Sequence, residues 1–248
     1  MKQTSHCQLY LTFLTFCIAI LFPLLLSCSS GDGVGTLVIT TSPVPAEVIV
    51  DSIPRGLGAA VVTLKAGKHE LGFGPSSEQF ISPEDRTINI TAGDTLRIVA
   101  EMTNTFIPDP PGGFALADTI RYYGTNIWKM KDGTIYDYID DGAYVYLKYG
   151  LQTTTHACYR NSEGSELVLD IFEMIPEDQS LNAFNDEEIC PEGHETMDIG
   201  DGGKAYHSEP EFMLHFHKSQ YLVSISTTDD RLKNGIVGFA KQVAERIP

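Results

Sequence analysis

The sequence predicts two folded modules: an all-β sandwich over residues 36–103, then an α+β domain over residues 114–248 with an antiparallel sheet flanked by helices. Three observations predict it. Residues 36–103 are a succession of short β-branched runs punctuated by Gly, Pro and Asp, with no helical period. The stretch "NTFIPDPPGGF", Asn104 to Phe114, then interrupts all periodicity with three prolines and two glycines. Beyond it, strand-like runs are mixed with segments whose apolar residues recur every three or four positions.

Residues 1–27 read as an export signal. Lys2 supplies a thin positive start, and "LYLTFLTFCIAILFPLLLS" supplies the apolar core. That core ends in Leu25-Leu26-Ser27-Cys28, which resembles the bacterial lipobox: aliphatic, variable, small, then cysteine. The resemblance implies that the Cys28 thiol receives a lipid and that cleavage makes Cys28 the new N-terminus. It places the chain in the bacterial cell envelope, in an outer membrane if the host has one, because Ser29 and not aspartate follows. The competing reading is an uncleaved transmembrane helix, since about 20 apolar residues can span a bilayer. Pro23 and the small, polar "SCSSGDG" favour the lipoprotein. Residues 28–35, small and Gly-rich, are expected to be a flexible tether.

In the first module the expected strands are "TLVITTS", "AEVIVDS", "AAVVTLK", "HELGFG", "RTINIT" and "TLRIVAEMT", with turns at "PVP", "PRGLG", "AGK" and "AGD". Ser42-Pro43, the run Ala46 to Asp51, Gly56, and Leu64 to His69 resemble the PEGA domain, an extracytoplasmic β-sandwich of surface proteins. Ser52 departs from that pattern, where glycine is usual. The resemblance implies a packing or interaction module without catalytic residues. Residues 104–113 are expected to be a Pro/Gly linker.

The second module opens on "TIYDYIDDGAYVYLKYG". At about 100° per residue, Ile135, Tyr138, Ile139, Gly142, Ala143, Val145, Tyr146 and Tyr149 share one arc of roughly 160°. Thr134 with Asp137 reads as a capping box, and Gly150 as a left-handed stop. One amphipathic helix is therefore expected, with small Gly142 and Ala143 facing a neighbour. Asp140 and Asp141 diverge on that wheel and cannot share a proton. Two strands joined at "NSEG" follow, then a helix in "PEDQSLNAFNDEEI", three strands from Gly202 to Thr228, and a terminal helix carrying Leu232, Ile236, Phe239, Val243 and Ile247 on one face. Tyr138-Ile139-Asp140, Tyr146-Leu147, Tyr149-Gly150, Asp170 to Met174, Ala183-Phe184 and Tyr221 to Val223 resemble, in order, an uncharacterised bacterial family of exported domains. That resemblance implies a fold and a location, and brings no reaction.

The charge narrows the partners. With 17 Lys and Arg against 33 Asp and Glu, the net charge of -16 argues against a nucleic-acid partner and disfavours electrostatic docking to anionic lipid. The mean hydropathy of -0.07 and 42% hydrophobic residues are those of a globular chain. Cys158 and Cys190 are the two cysteines of the exported region, and pairing is expected in an oxidising compartment, two buried thiols being the alternative. His215 and His217 lie on one face of a strand and could share a metal, but His194, His207, Asp198 and Glu211 have no spacing that selects a third ligand. Asp198 and Asp201 before two glycines read as a turn and not as a calcium loop. Trp128 and Tyr144 are candidate stacking surfaces. No catalytic residue and no cofactor is expected. Three functions follow in order of preference: non-catalytic binding or scaffolding through a membrane-anchored contact with an envelope protein or glycan; a hydrolase or metal-dependent enzyme using the two histidines; and a glycan or small-ligand receptor.

Overall fold

The structure, a computed structural model, describes residues 33–74, 77–128, 130–191 and 195–248. The expected signal, the lipidated Cys28 and the candidate ligand His194 lie outside these residues. The protein is mostly β, with several antiparallel sheets and few helices.

The first module contains β1 (Val34–Ser42), β2 (Glu47–Val50), β3 (Ile53–Leu57), β4 (Ala59–Lys65), β5 (Gly67–Phe73), β6 (Phe80–Ile81), β7 (Arg86–Ile90), β8 (Thr95–Glu101) and β9 (Thr103–Asn104). Two sheets form, in the orders β4-β1-β8 and β3-β2-β5-β7. Strict alternation explains them: Ala60, Val62 and Leu64 of β4 are buried while Ala59, Val61, Thr63 and Lys65 are exposed. They share one core with Leu37, Ile39, Val48, Val50, Leu71, Ile88 and Ile90. One pairing is parallel, β1 with β8, from Thr36↔Thr95 to Ser42↔Glu101. The stretch read as a turn, Pro54 to Gly58, is largely strand β3. The turn sits earlier, where Asp51 and Ser52 both take positive φ (53° and 63°), the geometry of a tight two-residue hairpin. Pro54 is tolerated because β3 is an edge strand.

The second module contains β10 (Phe114–Leu116), β11 (Arg121–Tyr123), α1 (Tyr136–Ile139), α2 (Ala143–Leu147), β12 (Leu151–Asn161), β13 (Glu166–Met174), α3 (Gln179–Phe184), β14 (Glu195–Met197), β15 (Gly202–Ser208), β16 (Glu211–Lys218), β17 (Tyr221–Thr227) and α4 (Lys233–Arg246). An antiparallel sheet runs β10-β12-β13-β17-β16-β15-β14, with β11 also on β12. Leu167, Leu169, Ile171, Leu214, Phe216, Val223 and Ile225 share a core with Ile236, Phe239, Ala240 and Val243 of α4. Phe172, Met174 and Leu222, on the opposite face, join Ile135, Ala143, Val145, Ala183, Phe184 and Cys190.

The single helix expected over the tyrosine-rich stretch is broken. Asp140 adopts φ 49° and ψ -132°, ending α1, and a 3-10 turn, Asp140–Gly142, connects it to α2. The break makes the predicted arc discontinuous: Ala143 and Val145 are buried, whereas Gly142 is exposed and a Cβ there would meet nothing within 4 Å. The expected stop is present, and the expected capping box is only half made, since α1 has no side-chain cap at its N-cap, Ile135. Thr134 N–H and Oγ1 both donate to Asp137 (2.8 and 2.9 Å), and Gly150 has φ +71°.

The Pro/Gly segment is tied down at its start. β9 pairs with β6, and Phe106 is buried edge-on to Tyr221, ring centroids 5.0 Å apart, in the core of the second module. Gln79 Nε2 donates to Thr155 Oγ1 at 2.7 Å, both residues being buried. Val44, Ala46, Phe80, Ala100 and Met102 form one apolar cluster with Tyr122 and Met130. The two modules therefore share buried surface.

Candidate polar site on the large sheet

Residues directly opposite on neighbouring strands project to the same face. The registers Arg121↔His156, His156↔Asp170, Asp170↔Ser224, Ser224↔His215 and His215↔Lys204 therefore draw a polar row across β11, β12, β13, β17, β16 and β15. It lies on the face that carries Phe172 and Leu222, among mostly apolar neighbours.

The centre of the row is Asp170. Its carboxylate accepts from Tyr138 Oη at 2.9 and 3.0 Å and from His156 Nδ1 at 2.8 Å. Asp170 and His156 are 14% and 18% exposed, so these bonds are only partly screened. Tyr138 comes from α1, stacks on Tyr123 (centroids 5.0 Å, planes 8° apart) and tilts against His156 at 4.6 Å. Burial, and then the neighbouring Asp170, push the Tyr138 hydroxyl far above the usual phenol range, which keeps it a donor. With Nδ1 donating to Asp170, neutral His156 carries its lone pair on Nε2. A carboxylate-oriented imidazole is the arrangement of a general base. No hydroxyl or thiol is hydrogen-bonded to it among the described residues. Cys158 follows two positions along the same face, but burial raises its pKa and holds it as the thiol.

His215 is 4% exposed, and neither ring nitrogen finds a hydrogen-bond partner. Burial, with Lys204 beside it, lowers its pKa to about 4, so the ring is neutral at pH 7. His217 shares the face but turns toward Phe184, ring centroids 4.9 Å apart. Among the described residues no three His, Cys, Asp or Glu side chains group as metal ligands. The expected alternatives are dispersed: His207 pairs with Asp230, Asp198 is exposed in the segment between β14 and β15, and Glu211 is exposed at the far end of β16. A cation at Lys204 opposes a divalent metal next to His215.

The expected Cys158–Cys190 bridge is not formed; both cysteines are free. Cys158 sits on β12 in the row of Val168, while Cys190 is sunk in the cluster of Phe172, Phe184 and Ile189, its thiol pushed up by burial to about 12. Trp128 packs against the cluster between the modules and donates its backbone N–H to Thr125. Tyr144 is 56% exposed and donates to Glu188 at 3.1 Å. A cleft of about 240 Å³ lies beside the polar row, its walls including Val168, Tyr206, Phe212, Met213 and Ser226 with the carboxylates Glu166 and Glu211.

Sequence reasoning missed His156 and read Tyr138 as core and Asp170 only as part of a motif. The turn at "NSEG" carries the signal: pairing outward from it brings His156 opposite Asp170. No family model, curated protein or solved structure matches the chain.

Proposed function

We propose that this is a cell-envelope protein, anchored by lipid on Cys28, whose second module binds or scaffolds an envelope protein or glycan without catalysing a reaction. The first module is read as a PEGA-like sandwich. Two sheets sharing one core support that reading, as does the bond from His69 Nδ1 to Asp51 (2.6 Å), which joins two positions of the PEGA-like motif. The second module is read as an antiparallel sheet flanked by helices, supported by the apolar clusters on its two faces.

The observation that carries the binding role is how the reactive groups are used. Asp170 is occupied by Tyr138 and His156, and His215 is buried, whereas the cleft alongside offers mainly apolar and hydroxyl-bearing walls. Such a lining suits the holding of a ligand; of its two carboxylates, Glu166 is engaged by Arg160 and Glu211 is exposed. A photo-crosslinking amino acid at Tyr206, introduced in the native host, tests this. The expected result is a discrete adduct that is lost on Met213→Glu and retained on Asp170→Asn. Unchanged crosslinking in Met213→Glu, with loss of the host phenotype in a folded Asp170→Asn protein, would favour an enzyme.

A further inference from the structure

We infer that one pole of the first module, formed by the β4–β5 and β7–β8 turns, rests on the lipid headgroup surface, and that the module is a pedestal holding the large sheet away from the membrane. The inference builds on the Cys28 anchor proposed above.

Chain length supplies the first argument. Gly33 follows Cys28 by five positions, and at no more than ~3.6 Å per residue it lies within about 18 Å of the lipidated atom. Gly33 is itself part of the pole. Its carbonyl accepts from Ala66 N–H (2.8 Å), and the Val34 carbonyl accepts from Gly93 N–H (2.8 Å). A Cβ on Gly33 would lie 2.4 Å from that of Ala92.

Surface chemistry supplies the second. The turn tips are Ala66-Gly67 and Ala92-Gly93, and a Cβ on either Gly67 or Gly93 would meet nothing within 4 Å, so the pole is blunt and open. Among the described residues its exposed charges are Lys65 and Lys68 against Asp94. With Asp32 of the tether the charges at this end balance, so it does not repel lipid phosphates as the rest of a chain of net charge -16 does. The acidity of the whole chain disfavours any broader electrostatic docking, which leaves this small pole as the compatible contact.

The far pole supplies the third. Beyond the other end of β1, Val44, Ala46, Ala100 and Met102 pack against Tyr122 and Met130 of the second module. The nine residues of β1 span about 26 Å at ~3.3 Å per residue. With the modules joined by buried contacts, the large sheet is held roughly that far above the headgroups.

Lys65 and Lys68 distinguish an upright module from one lying on its side. Lys65 projects from the outer face of the β4-β1-β8 sheet, and Lys68 from the outer face of the other sheet, so a module lying flat would cover only one of them. The test is acetylation by a sulfonated, membrane-impermeant amine reagent, read lysine by lysine by mass spectrometry. Full-length lipidated protein in vesicles of phosphatidylethanolamine with a minority of phosphatidylglycerol is compared with Cys28→Ala protein mixed with the same vesicles. We expect both Lys65 and Lys68 to react several-fold more slowly in the anchored protein, and exposed Lys241 on α4 to react equally in both. Slowing of only one of the pair, or of neither, with lipid found on Cys28 in the same sample, overturns the pedestal alone. Absence of lipid on Cys28 overturns the anchor and the pedestal together.

Discussion

Acidification should weaken the fold through His215, and the structure sets the size of the effect. The ring is 4% exposed, its charged cross-strand neighbour is Lys204, and its pKa is lowered to about 4. In the unfolded chain the same imidazole titrates near 6.5. Because the folded value is depressed, the unfolded state binds the proton first. The neutral ring's contribution is fully present above about pH 6.5 and is lost as pH falls toward 4. The gap is worth about 3 kcal/mol in total, most of which is gone by about pH 4.5. His215→Leu removes the titration and also two ring nitrogens that have no partner, so it should cost little or even stabilise near pH 7. Urea unfolding of wild type and His215→Leu at neutral and acid pH isolates the residue from all other titrating groups. The variant should retain more of its stability on acidification than wild type by the amount stated. Equal losses in the two proteins would mean that His215 titrates normally, and so is not buried as described.

Three other outcomes follow from the structure. The His69–Asp51 pair should stabilise the first module most between about pH 4 and 6.5, because its Asp is lowered and its His raised, chiefly by their mutual hydrogen bond; thermal melts of His69→Ala against wild type should converge as pH rises through the raised His69 value. In the chain from Gly33 onward, denatured without reductant, both Cys158 and Cys190 should react with a thiol reagent, and in the native state Cys190 should react only as fast as the protein opens. Gly150→Ala should lower stability by more than about 1 kcal/mol in chemical denaturation, since φ is +71° and a Cβ would lie 2.0 Å from the Ile175 carbonyl, while Gly142→Leu should be close to neutral because that position is open.

Much of the strand pattern was legible because alternation is a local signal. In β4 every second residue is buried, and the hairpin at "NSEG" and the terminal helix stand where their periodicity places them. What depends on one backbone angle was not legible. Asp140 at φ 49° breaks a helix whose wheel is otherwise continuous, so a residue placed in the core, Gly142, faces solvent. The cysteine pairing failed for a related reason: sequence counts thiols but does not say that β12 and the Ile189-Cys190 turn hold them apart. The polar row is the middle case. Each residue in it is ordinary alone, and only the register of four strands brings His156, Asp170, Ser224 and His215 into line.

The parallel pairing of β1 with β8 also governs how the first module would bear force. The chain enters at the start of β1 and leaves from the end of β8, and the two strands point the same way over seven paired residues. Tension between those ends pulls one strand backward and the other forward along a common axis. The ladder between them is loaded in shear, with its hydrogen bonds strained together, whereas an antiparallel pair pulled from adjacent ends would peel open one bond at a time. A tug on the far side of the protein would thus meet its stiffest element first.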